Sequence, residues 1–184
     1  MRGAVHHIDL TPRLGASRGA NARLLDREFV HARESATMRG MLKHFDHVTV
    51  AVTDPVAAID FFALLGFELD KDVVIKGPVM DQYMGIDGLE ARHITLALKD
   101  ATPRLEVQLL HFLRPPVKRE GDISRLDRLG FNHICFAVSD IDDLIAKVTA
   151  AGVRLRNQPM TFHDRKLVFL EGPEGITVEL AEWK

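Results

Sequence analysis

Residues 131 to 152, FNHICFAVSDIDDLIAKVTAAG, repeat residues 45 to 66, FDHVTVAVTDPVAAIDFFALLG, at a separation of 86 positions and without a gap. Seven aligned positions are identical: Phe45/Phe131, His47/His133, Ala51/Ala137, Val52/Val138, Asp54/Asp140, Ile59/Ile145 and Gly66/Gly152. Repetition on this scale means one supersecondary unit built twice. Within the first copy, Val48, Val50 and Val52 alternate with His47, Thr49 and Ala51, the period of a half-buried strand. Asp54-Pro55 then offers an N-cap acceptor and a first-turn proline. The helix that follows ends at Gly66, a good residue for a left-handed C-terminal cap. The second copy has Ser139 or Asp140 as its cap, and Ile141, Leu144, Ile145 and Val148 make the stripe that buries one helix face.

Working outward, Phe67 to Val74 reads as a second strand and residues 77 to 88 as a glycine- and proline-containing loop. Ala91 to Lys99 and Arg104 to Phe112 read as a hairpin, so the first module is β-α-β-β-β. Residues 113 to 130, with Pro115-Pro116 and many charges, form a linker. In the second module Val153 to Arg156, Lys166 to Glu171 and Ile176 to Glu182 supply the remaining strands, with Gly172-Pro173-Glu174-Gly175 as a turn. The expected fold class is α+β. Two tandem βαβββ modules, 43 to 112 and 131 to 184, each carry one helix on the outer face of a four-stranded sheet.

Composition narrows the function. With 46% apolar and 27% charged residues and a net charge of −2, nothing points to nucleic acid or an anionic membrane. No apolar run approaches the ~18 residues of a membrane span. The single cysteine, Cys135, excludes an internal disulfide and fits a reducing, cytoplasmic setting. Residues 1 to 40 hold seven arginines against four acids. They read as a disordered or accessory extension to a domain spanning 41 to 184.

Strand parity selects the chemistry. The last strands of the modules correspond, with Gln108-Leu-Leu-His-Phe112 matching Glu179-Leu-Ala-Glu-Trp183. Gln108 and Glu179 then fall opposite the apolar faces, as His47 and His133 do. All four project from the sheet faces that carry no helix, and curling of the sheets would line one cleft with them. Two imidazoles, a carboxylate and an amide oxygen suit a divalent first-row ion (Co, Ni, Mn, Zn or Fe) better than Ca or Mg. Glu106 shares the Gln108 face about 7 Å along the strand, so one of the two can serve, and the repeat register selects Gln108.

The duplicated F-x-H-[VI]-x-[VF]-A-V-[TS]-D stretch, the LEVQLLHFLRPP segment and the terminal EGPEGITVELAEW resemble the vicinal oxygen chelate superfamily of glyoxalases, bleomycin-resistance proteins and extradiol dioxygenases. The resemblance covers residues 43 to 184. It implies paired βαβββ modules around a metal cleft, commonly in a homodimer, with His47, Gln108, His133 and Glu179 as ligands. That order of ligands is similar to methylmalonyl-CoA epimerases, while bacterial glyoxalase I enzymes usually carry Glu at the Gln108 position. The implied activity is that of a metal-dependent isomerase, epimerase or lyase. It would act by enolate-forming proton transfer next to a metal-bound carbonyl, on an acyl-CoA thioester or a glutathione adduct. Glu179 would be one acid/base, with Glu106 or Glu90 as the second; His93 is a further possibility. Arg104, Lys118, Arg119, Arg125 and Arg128 could meet a CoA phosphate. The alternatives are an Fe(II) extradiol-type dioxygenase using His47, His133 and Glu179, and a non-catalytic small-molecule binding or resistance protein.

Overall fold

The computed structural model describes residues 43–118, 121, 123–127 and 129–184. The proposed extension, 1 to 40, lies outside the described residues. Phe45–Lys184 forms one compact unit. Its first half runs β1 (His47–Ala51), α1 (Pro55–Leu64), β2 (Phe67–Lys76), α2 (Pro78–Met84), β3 (Glu90–Leu98) and β4 (Glu106–Arg114). Its second half runs β5 (Ile134–Val138), α3 (Ile141–Ala150), β6 (Arg154–Leu155), β7 (Met160–Phe162), β8 (Arg165–Glu171), a 3-10 turn (Pro173–Gly175) and β9 (Thr177–Trp183). The sheets are ordered β1-β4-β3-β2 and β5-β9-β8-β6, with β7 also paired to β8. The fold is therefore α+β and duplicated, as the repeat predicts. No described helix is long and apolar enough to cross a membrane.

The capping chemistry forms as the sequence indicates. Asp54 accepts a hydrogen bond from the Ala57 amide and Asp140 from the Asp143 amide, both at 3.0 Å. Three expectations need correction. Residues 78–84 are helical, not loop. Pro78 starts that helix, Gly85 ends it in the left-handed region at φ 66°, and Asp81 accepts from the amides of Gly88 and Leu89. The second sheet has five strands, because Met160–Phe162 adds an antiparallel partner to β8. The hairpin strands lie at Glu90–Leu98 and Glu106–Arg114, so β4 starts two residues later than expected. The two halves also share their apolar interior. A single core joins Phe62, Ile94 and Leu109 of one half to Ile141, Val168 and Leu180 of the other. A chain of rings crosses the junction, with centroids 5.7 Å apart for Phe62–Phe67 and 5.5 Å for Phe67–Phe136.

A second clasp between the halves is polar. Glu174, at φ 52°, accepts from the amides of Thr53 at 2.6 Å and Asp54 at 3.1 Å, and from the Thr53 hydroxyl. These donors lie at the start of α1, where the helix dipole favours an anion. Beside it, a Cβ on Gly175 (φ +86°) would stand 2.6 Å from the Ile123 side chain, so glycine is required in this turn by both backbone and space. Glu174→Ala is expected to cost about 0.5–1.5 kcal/mol, the net worth of a typical hydrogen bond, because the Thr53 and Asp54 amides are exposed and water can replace the carboxylate. Urea denaturation measures it, and an unchanged midpoint would contradict the clasp.

Candidate metal centre

Two parallel strand pairs place the predicted residues. His47 faces Glu106 and Thr49 faces Gln108 across β1 and β4; Cys135 faces Glu179 across β5 and β9. His133 immediately precedes β5, and the matching registers Thr49/Gln108 and Cys135/Glu179 put the pairs His47/His133 and Gln108/Glu179 at equivalent positions of the two halves. Exposure alternates along β1 and β5 as the parity argument requires, with Val48, Val50 and Phe136 turned toward the core.

The two imidazoles are held in the same way. His47 Nδ1 lies 2.7 Å from an Asp46 carboxylate oxygen, and His133 Nδ1 lies 2.8 Å from Asn132 Oδ1. The Asn132 amide nitrogen donates to the Leu126 carbonyl, which fixes its oxygen toward the ring. Both acceptors require the proton on Nδ1, so the neutral tautomer leaves Nε2 with a free lone pair. Such an outer hydrogen bond sets the orientation and raises the basicity of a ligating histidine. Sequence reading passed over Asp46 and Asn132. The signal was available, since a short polar side chain precedes the histidine in both copies of the repeat.

His133 Nε2 lies 3.2 Å from Glu179 Oε2. With Nδ1 committed to Asn132, a lone pair and a carboxylate oxygen face each other, and this contact is favourable only if a second imidazole proton or a cation sits between them. The donor chemistry therefore fits a divalent ion. Gln108 is more engaged. Its oxygen lies 3.0 Å from His93 Nε2 and 3.4 Å from the Thr49 hydroxyl, and its nitrogen donates to Glu106 at 2.9 Å. To ligate, that oxygen must exchange one of these partners. Among the described residues, no group of three or more His, Cys, Asp and Glu side chains is placed to hold one ion. His133 meets Glu179, Gln108 meets Glu106 and His93, and His47 stands with Asp46. Val48 to Ala51, Asn132 and Ile134 line a groove of about 420 Å³ between the edge strands of the two sheets, and none of His47, Gln108, His133 and Glu179 is among its lining residues.

The candidate acid/base residues differ in position. Glu106 is held below the usual carboxylate range by hydrogen bonds, first from Arg104 at 2.6 Å and then from Gln108. It takes up a proton less readily than a free glutamate. Glu90 is likewise lowered by Arg114. It sits five residues along β3 from Thr95, the partner of Gln108, hence roughly 17 Å away along the strand. The structure does not bring Glu90 to the other candidates. Cys135 lies beside Glu179; desolvation, then that carboxylate, push its thiol up to about 11, so it stays protonated at neutral pH.

Of the basic residues considered for a phosphate, Arg104 pairs with Glu106 and Asp70, and Arg125 pairs with Asp127. Arg119 and Arg128 lie outside the described residues.

A sequence model of the Glyoxalase/Bleomycin resistance protein/Dioxygenase superfamily matches residues 44–180. The chain belongs to this superfamily. It is 26% identical over 145 residues to the uncharacterized protein YaeR of Escherichia coli, covering 77% of this chain and 97% of that one. It is also 26% identical over 141 residues to the lactoylglutathione lyase of Schizosaccharomyces pombe, covering 76% of this chain but 45% of that enzyme. A glyoxalase family protein of Bacillus cereus superposes with a TM-score of 0.70 at 25% identity, over 79% of this chain and 97% of that one. Glyoxalase-type members of the superfamily typically use a divalent metal, and the apposed acceptors at His133 and Glu179 suit that chemistry.

If Asn132 orients a ligand, Asn132→Leu should weaken binding of zinc or cobalt by about 10–100-fold. Competition with a chromophoric chelator measures this, and unchanged affinity would show that Asn132 merely packs.

Proposed function

We propose that the protein is a metal-dependent isomerase, epimerase or lyase of the glyoxalase type, moving a proton on the carbon next to a substrate carbonyl. The observation that carries this reading is the contact between the His133 Nε2 lone pair and the Glu179 carboxylate, with the ring already tied through Nδ1. His133 and Glu179 are the preformed half of the ligand set, and His47 and Gln108 of the first sheet would complete it. The ion is Co, Ni, Mn, Zn or Fe. When bound, it would draw electron density from the carbonyl oxygen and so ease loss of the neighbouring proton, an effect of several kcal/mol.

The chain's own residues supply the rest. Asp46 and Asn132 fix the two rings, so little reorganisation is left for the reaction. Glu179, facing the cleft, accepts the substrate proton at its free oxygen. Glu106 is the nearer of the two further candidates. It would deliver or receive a proton on the opposite side once Arg104 lets go. The Cys135 thiol remains neutral and does not compete as a nucleophile. Phe169, whose ring meets the His133 ring edge-on at a centroid distance of 5.1 Å, shields that flank from water.

Metal-reconstituted protein should incorporate solvent deuterium into acyl-CoA thioesters or hemithioacetals, read by mass spectrometry. Absence of exchange, together with oxygen uptake on catechols by the Fe(II) form, would replace this reading with a dioxygenase. The proposal includes a homodimer. Exposed Leu69, Val73 and Val74 on edge strand β2, with Val79 and Tyr83 on α2, form an apolar edge suited to covering by a second copy. Light scattering should give twice the chain mass, and a monomer would contradict this part.

A further inference from the structure

The two open sheet faces have diverged. Strand register equates Thr95 with Phe169, His93 with Leu167 and Ala91 with Arg165. The first face is thus polar around Gln108. The second runs from Glu179 over Phe169, Leu167 and Met160 to Phe162, Trp183 and Arg165. Met160, Phe162 and Trp183 are each about half exposed, at 50%, 52% and 57%. Apolar side chains exposed in such a row form a patch of the kind that meets a ligand or a partner.

The far end carries a cation. Arg165 lays its guanidinium 4.5 Å from the centre of the Trp183 ring, which holds the fork flat. Its Nε is buried without a hydrogen-bond partner among the described residues, and an Asp164 oxygen stands 3.9 Å away, beyond hydrogen-bonding range. The Arg165 side chain is 39% exposed beyond that nitrogen, and a carboxylate would pair with the open part of the fork. The neighbouring Lys166 does not compete, because it is on the helix side and bonded to Asp142. From Glu179 to Trp183 is four residues, about 13 Å along the strand.

We propose that this face binds the body of the substrate, and that the substrate is an amphipathic organic acid. Its apolar or aromatic body lies on Phe169, Leu167, Met160 and Phe162, and its terminal carboxylate pairs with Arg165. The placement of the reacting carbonyl at His133 and Glu179 rests on the proton-transfer reading above; the body and carboxylate contacts do not. A polar tripeptide conjugate would leave its amides unpaired against this surface, so the face selects against it.

Trp183 is the only tryptophan of the chain, so its emission reports the subsite directly in full-length, metal-free protein. Titration with 3-phenylpropionate should change that emission saturably. 3-Phenylpropanamide should bind at least about tenfold more weakly, the loss expected for one charge-assisted pair. Arg165→Met should reduce phenylpropionate to the level of the amide and leave the amide unchanged, with calorimetry confirming both in case the substitution alters the emission. No saturable response, equal binding of acid and amide, or equal binding by Arg165→Met would each overturn the proposal. Failed binding with deuterium exchange intact removes this subsite alone; binding without exchange removes the catalytic reading alone.

Discussion

His133→Ala is expected to lose metal affinity by more than the roughly 100-fold that removal of an outer hydrogen-bond partner can cost, and to lose turnover with it. The substitution removes the imidazole whose Nε2 already faces the Glu179 carboxylate, leaving Glu179 as a single monodentate donor in the second half. Stability should barely move. His133 is part-exposed on the open face, and such substitutions away from the core stay within about 0.5 kcal/mol. Metal analysis of dialysed protein alongside a thermal melt separates the two effects. Full metal content in a folded His133→Ala variant would refute the ligand assignment.

Phe62→Ala should be the most damaging core substitution, costing about 3–5 kcal/mol. On a domain of this size that lowers the melting temperature by roughly 6–20 °C. Phe62 is fully buried and stands between Phe61 and Phe67, with ring centroids at 5.3 and 5.7 Å, and Phe67 passes the contact on to Phe136 in the second half. The loss should therefore appear in both halves together. Circular dichroism reports the whole domain, while Trp183 emission reports the second sheet. The two transitions should shift by the same amount, and an unmoved Trp183 transition would mean that the halves have separate cores.

The repeat made most of this architecture legible before any coordinates. A strand whose valines alternate with His47 and Thr49, an aspartate cap and a terminal glycine carry enough local information to specify strand, helix and stop, twice. What stayed hidden depended on context. Pro78 and Gly85 punctuate the chain whether they bound a loop or a short helix, and only the Asp81 bonds to the following turn settle which. Met160–Phe162 is too short for a periodic signal and exists because β8 offers an edge. At the site, parity placed His47, Gln108, His133 and Glu179 on open faces. It could not say that Asp46 and Asn132 would tie the rings, that Arg104 would occupy Glu106, or how closely the two sheets approach. Those are tertiary distances, and alternation within a strand carries no information about them.

The central claim is that one ion is held by side chains from both copies of the repeat. Crystals of zinc-loaded protein, measured at the zinc absorption edge, test it most directly. The account predicts a single anomalous peak per chain, within about 2.0–2.2 Å of His47 Nε2, His133 Nε2 and a Glu179 oxygen. A peak bonded only to His133 and Glu179, with His47 turned away, or separate peaks in the two halves, would contradict it.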